Sequence, residues 1–444
     1  VDRVELTIRS SYLPNWGIGE GLRELIQNAK DAETEFNAPM RFWHDEETGT
    51  LYIENQGSVI PRQALLLGFT TKEDREDLIG QFGEGLKLGI LAIVRAGYPC
   101  TVRTGPELWE PEILPSKEFG ENVLTFKISN GLESEKVVRY EIGRISKDLW
   151  EEVQKKFLFL QKDVKKIETA AGDILLNRQG QIYVKGILVQ VADSTDKLVY
   201  GYNLLRVDTD RDRKMVSTYA LGWETVSAWV NALWVVDDTL SAELIKIFYI
   251  LAKSGMDDLA KLEYSVNQFK PMVSKEVLRL FQEEFGNNAI PVANQDEAKA
   301  ISFLGRRGVI TAPPLRHLVL HELGGTLEDV KRRILSEVIR EYTWDDLRDH
   351  EKKYLVKIVS LVNRYSSVDI SEIDICKFRS DSFKGQFLGD RIRLARSTLG
   401  NPIEGLCTLI HEVAHRKGHD GEHEHVLAME QLWSSISDDF IAWD

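Results

Sequence analysis

The chain has 444 residues, 43% of them hydrophobic and 28% charged, the balance of a water-soluble globular protein of roughly two or three domains. A formal net charge of −14 argues against a broad, sequence-independent grip on nucleic acid, which needs a basic surface. No apolar run approaches the ~20 residues of a membrane span. The opening residues, VDRVELTIRSSYLP, lack the basic start and apolar core of a secretory signal. The three cysteines, Cys100, Cys376 and Cys407, are odd in number and far apart, so no disulfide framework is expected and the cytoplasm is the expected compartment.

Residues 4–12 alternate as a strand does. Residues 17–35 read as a helix, with Leu22, Leu25, Ile26 and Ala29 on one face. Glu24, Asn28 and Asp31 stand at i, i+4 and i+7 on another side, the arrangement of a helix that lines a polar pocket. LYIENQGSVIP (51–61) reads as a strand entering a glycine turn. In IGQFGEGLKLGILAIVRAG (79–97), Gly80, Gly83 and Gly85 precede an apolar helix with Lys87 in its first turns. Glycines let a backbone approach a phosphate, and a helix amino end favours an anion.

These three blocks, in this order, resemble the GHKL ATPases, and the form of the second glycine box is closest to that of the Microrchidia proteins. ELIQNAKDA (24–32) matches the family's E-x-x-x-N-x-x-D-A box. The resemblance implies that Glu24 polarises the attacking water and that Asn28 binds Mg2+. In GQFGEGLK (80–87), which Gly80 opens, the backbone at Gly83 and Gly85 would wrap the phosphates of ATP and Lys87 would contact them. FTTKEDREDL (69–78) is similar to the family's lid, with Thr71 and Lys72 as lid contacts. NQGSVIP (55–61) departs from the adenine box: Asn55 stands where an aspartate is expected, Gly57 is kept, and Val59 replaces the second glycine. An amide can still accept from the adenine amino group and donate to a ring nitrogen. Shifting the register makes Glu54 the acid but loses the G-x-I-P match. The family fold is a mixed sheet with helices on one face, here completed by strands near 123–128, 137–142 and 181–191. Homodimerisation on ATP binding is also implied.

YNLLRVDTDRDRKMV (202–216) is loosely similar to the segment through which the heat-shock chaperone of this family presents an arginine to the ATP phosphate. Arg211 would be that arginine, and a solvated Asp–Arg loop is the alternative. From Trp223 to Phe285 the pattern is helical, with Trp223, Trp229 and Trp234 expected in a core. Residues 287–334 read as a short βα unit with a strand over Val309 to Ala312. His317 and His321 read as part of a surface helix.

Toward the carboxyl end, Leu347 to Tyr365 reads as a helix, 371–378 and 387–395 as strands, Asn401 to Lys417 as a helix, and Val426 to Ile436 as a closing helix. Within LCTLIHEVAHRKGHDGEHEHV (406–426), His411 and His415 are four apart and share a helix face, with Glu412 beside them. This is the HExxH pattern of zinc metalloproteases. The metzincin extension fails, because Gly421 stands where its third histidine would be. His425 is preferred as third ligand because it stands beside the closing helix. His423 is the next choice, His419 remains, and Glu430 is a carboxylate alternative. The order of elements resembles a minimal zincin of the SprT-like kind. That resemblance implies zinc with an activated water, Glu412 as the base, and an edge strand within 387–395 pairing with an extended peptide.

The expected architecture is α+β and multidomain. A GHKL α/β sandwich would span 1–195, a mainly helical coupling region 196–340, and a zincin-like domain 341–444. The expected function is an ATP-regulated zinc metalloprotease that cuts a protein substrate. Two alternatives stand: a DNA-associated GHKL ATPase whose protease acts on DNA-bound protein, and a non-hydrolysing nucleotide-dependent interaction module with a structural zinc.

Overall fold

The structure is a computed structural model describing residues 1–66, 84–133, 135–192, 197–207, 219–234 and 238–441, with backbone alone at 219, 238–241 and 438–441. It divides into two compact units, Val1–Asn231 and Ala232–Asp444. No helix among the described residues is long and apolar enough to cross a membrane.

The first unit opens with β1 (Asp2–Arg9), α1 (Ile18–Phe36), β2 (Met40–Asp45), β3 (Thr50–Gln56), α2 (Gly85–Arg95), β4 (Cys100–Thr104), β5 (Glu107–Pro115), β6 (Asn122–Asn130), β7 (Val137–Ile142) and α3 (Lys147–Lys155). Its seven strands run in the order β1-β6-β5-β4-β7-β3-β2. One face of the sheet carries Leu51, Ile53, Val102, Trp109, Phe126 and Ile142, all buried against Leu22, Leu25 and Ile26 of α1, Ile90 and Ile93 of α2, and Trp150 of α3. Helices on that one face make the α/β sandwich. The mixed sheet that was expected is antiparallel at every described pairing. The short links β2–β3, β4–β5 and β5–β6 require this, since a tight turn returns a strand beside its predecessor. Helix α1 starts where Gly17 N donates to the Glu20 carboxylate at 2.8 Å, and ends at Asn37 with φ +52°.

A second sheet takes β8 (Lys166–Ile167), β9 (Gly172–Leu175), β10 (Gln181–Val184), β11 (Ile187–Val191) and β12 (Gly201–Leu204), in the order β11-β10-β12-β9-β8. Residues 181–191, expected to complete the first sheet, belong instead to this second one. They form a hairpin turning at Lys185 and Gly186, both at positive φ, and β10 hydrogen-bonds to β12 on its other side. On α4 (Tyr219–Trp234), Trp229 is fully buried and its indole donates to the Tyr202 hydroxyl at 3.0 Å. Trp234, expected in the core, is 52% exposed.

The second unit begins with α5 (Asp238–Ser254), α6 (Pro271–Phe285), β13 (Ala289–Val292), α7 (Gln295–Phe303), β14 (Arg307–Ile310), α8 (Pro313–Glu322) and α9 (Leu327–Leu335). Strands β13 and β14 are parallel, with α7 between them in the chain. The strand expected over Val309 to Ala312 lies two residues earlier, because Pro313 and Pro314 open α8 and Ala312 is its N-cap.

The remainder is β15 (Val338–Tyr342), α10 (Asp349–Ser366), β16 (Ile373–Phe378), β17 (Gly385–Phe387), β18 (Ile392–Ala395), α11 (Pro402–Ala414) and α12 (His423–Ile441). The sheet order is β15-β16-β18-β17. Leu355, Ile358 and Val362 of α10 pack with Leu406, Leu409, Ile410 and Val413 of α11, Ile436 of α12, and Ile375 and Leu394 of the sheet. The single strand expected over 387–395 is two strands. Leu388 N donates to the Arg391 carbonyl at 2.8 Å and Gly389 takes φ +93°, which folds the segment into a hairpin. The edge is β17, and β18 is interior.

Glu351 ties α10 to the turn that follows β18. Its buried carboxylate accepts from Arg396 Nε at 3.0 Å and Nη2 at 2.8 Å, and from the Arg348 N–H at 2.7 Å. The Arg396 hydrogen bonds, reinforced by the Arg348 N–H against the opposing effect of burial, hold its pKa down to about 2. A depressed carboxyl stabilises the fold above its unfolded value of 4.5, and that contribution is lost as pH falls toward 2. Glu351→Gln is expected to lower unfolding free energy by about 1.5–3 kcal/mol at pH 7. In urea titrations the gap from wild type should narrow steadily below pH 4.5; a gap independent of pH would contradict it.

Candidate functional site

Asn401 caps α11 by accepting from Ile403 N at 3.0 Å, and Pro402 occupies its first turn. The helix buries Leu406, Leu409, Ile410 and Val413, which turns His411 and His415 to the other side. After Ala414 the chain makes a loop through 416–422 and enters α12, whose first turn carries His425, 2% exposed. The three imidazoles meet: ring centroids are 5.0 Å apart for His411–His415, 4.9 Å for His411–His425 and 4.3 Å for His415–His425. His415 Nδ1 lies 3.1 Å from the Gly418 carbonyl, a hydrogen bond that puts the proton on Nδ1 and leaves Nε2 as a donor of electrons. His419 and His423 are exposed and lie outside this cluster.

The cluster has a fourth member that the sequence reading missed. Asp420 Oδ1 lies 3.2 Å from His411 Nε2 and 3.5 Å from His415 Nε2. One ligand atom each from His411, His415, Asp420 and His425 lies within 4.8 Å of all the others. Asp420 sits on no helix or strand and shares no periodicity with the motif, so no pattern could have found it.

Glu412 is 5% exposed. Burial, and next the nearby Asp420 carboxylate, push it up to about 7, while the Phe387 backbone N–H opposes them. Edge strand β17 thus touches Glu412 directly. Gly385 makes that approach possible: a Cβ there would lie 2.5 Å from Glu412 Oε1 and 2.8 Å from Thr408 Cγ2. Burial also holds His411 below its ordinary pKa, and a neutral imidazole is the form that binds metal.

In the first unit, α1 and α2 cross at glycines. A Cβ on Gly21 would lie 2.5 Å from Ile93 Cγ1, and one on Gly89 would lie 2.9 Å from Glu24 Cβ. This contact sets the buried Glu24 against the start of α2, where a Cβ on Gly85 would meet Glu24 Oε2 at 2.6 Å. Arg23 holds the other carboxylate oxygen, with Nε at 3.2 Å and Nη2 at 3.1 Å. One turn along α1, Asn28 Nδ2 is buried with no hydrogen-bond partner among the described residues. Asn55 is 1% exposed and its amide donates to Ala29 O and Ala38 O, both at 2.9 Å. Both amide hydrogens are engaged, so donation to an adenine ring nitrogen has no hydrogen left and the carbonyl oxygen alone remains. Glu54, the other register, is paired with Arg139 at 2.5 Å. Gly57 makes the turn after β3 at φ +93°. Lys87 is fully buried, and its ammonium donates to the carbonyls of Ala64 at 2.9 Å and Leu66 at 2.7 Å. Thr71, Lys72, Gly80, Gly83 and Arg211 lie outside the described residues.

No protein-family model matches this sequence, and no curated protein does either. Among solved structures, the chain is similar to the ATPase region of Saccharomyces cerevisiae topoisomerase II, with and without ICRF-187 (dexrazoxane). Identity is 12% and the TM-score 0.27, over 39% of this chain and 62% of that one. It is also similar to the ATPase and transducer domains of DNA topoisomerase II from Balamuthia mandrillaris, at 13% identity and a TM-score of 0.26, over 39% of this chain and 60% of that one. The chain thus spans about three fifths of the length of these structures.

Proposed function

We propose that this chain is a nucleotide-regulated zinc metallopeptidase. The observation that carries the reading is the meeting of His411, His415 and His425 beside a buried Glu412, under the open edge of β17. The donor set fits zinc: three imidazoles and the Asp420 carboxylate converge, and His415 and His425 are each oriented by a backbone carbonyl. When bound, zinc would supply a Lewis acid that polarises a carbonyl and brings a water near neutral pKa. Glu412 would take the proton of the attacking water and pass it to the leaving amine, a role its burial suits. The free side of β17 would pair with an extended stretch of a protein substrate and hold its scissile bond beside the histidines.

The ATP site of this reading is the α1–α2 pocket. Asn28 would hold Mg2+ with the phosphates through its side-chain oxygen, and the buried Glu24 would orient the attacking water. Gly57 and the Asn55 carbonyl would face adenine. The backbone at Gly80, Gly83 and Gly85 would wrap the phosphates, with Lys87, Thr71, Lys72 and Arg211 joining in the closed state. Work is divided as an ATP module over 1–195, a coupling region over 196–340 and a peptidase over 341–444. ATP binding would bring two copies together, and it can control the peptidase only by binding one state better than another.

Purified protein is expected to carry about one zinc per chain by elemental analysis and to cleave unfolded protein. Cleavage that persists in zinc-free protein would sink the peptidase. Glu24→Ala is expected to abolish ATP turnover while a fluorescent ATP analogue still binds; turnover at the wild-type rate would remove Glu24 from that role.

A further inference from the structure

Resting on the zinc reading above, we propose that Asp420 is a displaceable fourth ligand that closes the metal site until substrate arrives. A site with four protein ligands is closed, and one with three keeps a position open for chemistry. The Asp420 carboxylate reaches Nε2 of both His411 and His415, which puts it within the ligand cluster rather than behind it. It also neighbours Glu412.

The four ligands are held very differently. His411 sits on the last turn of α11, His415 is that helix's C-cap, and His425 is buried in the first turn of α12. Asp420 lies on the loop between those helices with its side chain 71% exposed. One end of that loop is tight: a Cβ on Gly418 would lie 2.8 Å from Glu422 Oε2 and 3.2 Å from His425 N. Asp420 and Gly421 form the centre of a turn closed by Glu422 N donating to the His419 carbonyl at 3.0 Å and His419 N donating to Glu422 Oε2 at 2.8 Å. With its side chain 71% exposed, Asp420 can rotate its carboxylate away from the cluster while the turn and the histidines stay in place. A structural ligand would be buried, as His425 is.

This arrangement makes a quantitative demand. If Asp420 competes for the fourth position, its closure tightens zinc and weakens any outside ligand by one common factor. In the full-length protein, Asp420→Asn and Asp420→Ala are therefore expected to loosen zinc about tenfold or more in chelator competition. Both should tighten acetohydroxamate on the Co2+-loaded protein, read from its visible spectrum, by the same factor. Unchanged zinc affinity overturns the proposal. So does looser zinc with acetohydroxamate unchanged or weaker, the pattern of a merely structural residue. Wild-type protein that binds no zinc, or zinc that His411→Ala does not loosen, overturns the metal reading itself and Asp420 with it.

Discussion

Glu412→Gln is expected to retain about one zinc per chain and to lose about 10²–10⁴-fold in peptide hydrolysis. The substitution keeps shape and volume in a site that is 5% exposed, so packing of α11 against α10 and the sheet should survive. It removes only the group that can take and return a proton. Glutamine can still accept from the Phe387 N–H, which preserves the contact with β17. Elemental analysis, thermal unfolding and cleavage of a fluorogenic protein substrate together check this. A variant that cleaves at the wild-type rate would show that Glu412 is not the base. A proteome-wide comparison of new amino termini between wild type and this variant would then identify substrates.

Gly385→Ala is expected to cut cleavage by about 10²-fold without touching a histidine of the cluster. The added methyl would lie 2.5 Å from Glu412 Oε1 and 2.7 Å from its Cγ, closer than real Cβ atoms come. Either the carboxylate leaves its place or the edge strand lifts from α11, and both spoil the alignment of base, histidines and bound peptide. Crowding of this kind costs about 1–3 kcal/mol of stability. Zinc content should stay at wild-type level, since no histidine is displaced directly. Gly400→Ala is the control: a Cβ there meets nothing within 4 Å, and its rate and stability should match wild type. Equal behaviour of the two alanine variants would remove β17 from the site.

These two predictions differ in how far the sequence led to them. His411, Glu412 and His415 lie within one helical turn and a residue, so their relation follows from helix geometry alone. The same holds for the apolar face of α1 and the line of Glu24, Asn28 and Asp31. For the third member of the cluster, sequence narrowed the choice to His425, His423, His419 or the carboxylate of Glu430. The start of α12 at His423 buries His425 among the ring partners and leaves His419 and His423 exposed.

Nothing local marks Gly385, which reads as an ordinary glycine in FKGQF, or Asp420, which reads as one of several loop carboxylates. Their importance arises across the fold, where an edge strand and an interhelix loop converge on one helix. Asn55 shows the same limit: its motif position suggested a base contact, but its amide hydrogens join β3 to the chain around α1. The strand pairings belong here too, since 181–191 alternates well and still joins a different sheet.

Periodicity along the chain was enough for the apolar face of α1 and the i, i+4 histidine pair of α11, because those depend on neighbours within a turn or two. Packing in three dimensions sets which histidine completes the cluster, that a carboxylate joins it as the fourth member, and which strand forms the edge beside Glu412. Each of those depends on groups brought together by packing, and distance along the chain does not encode it.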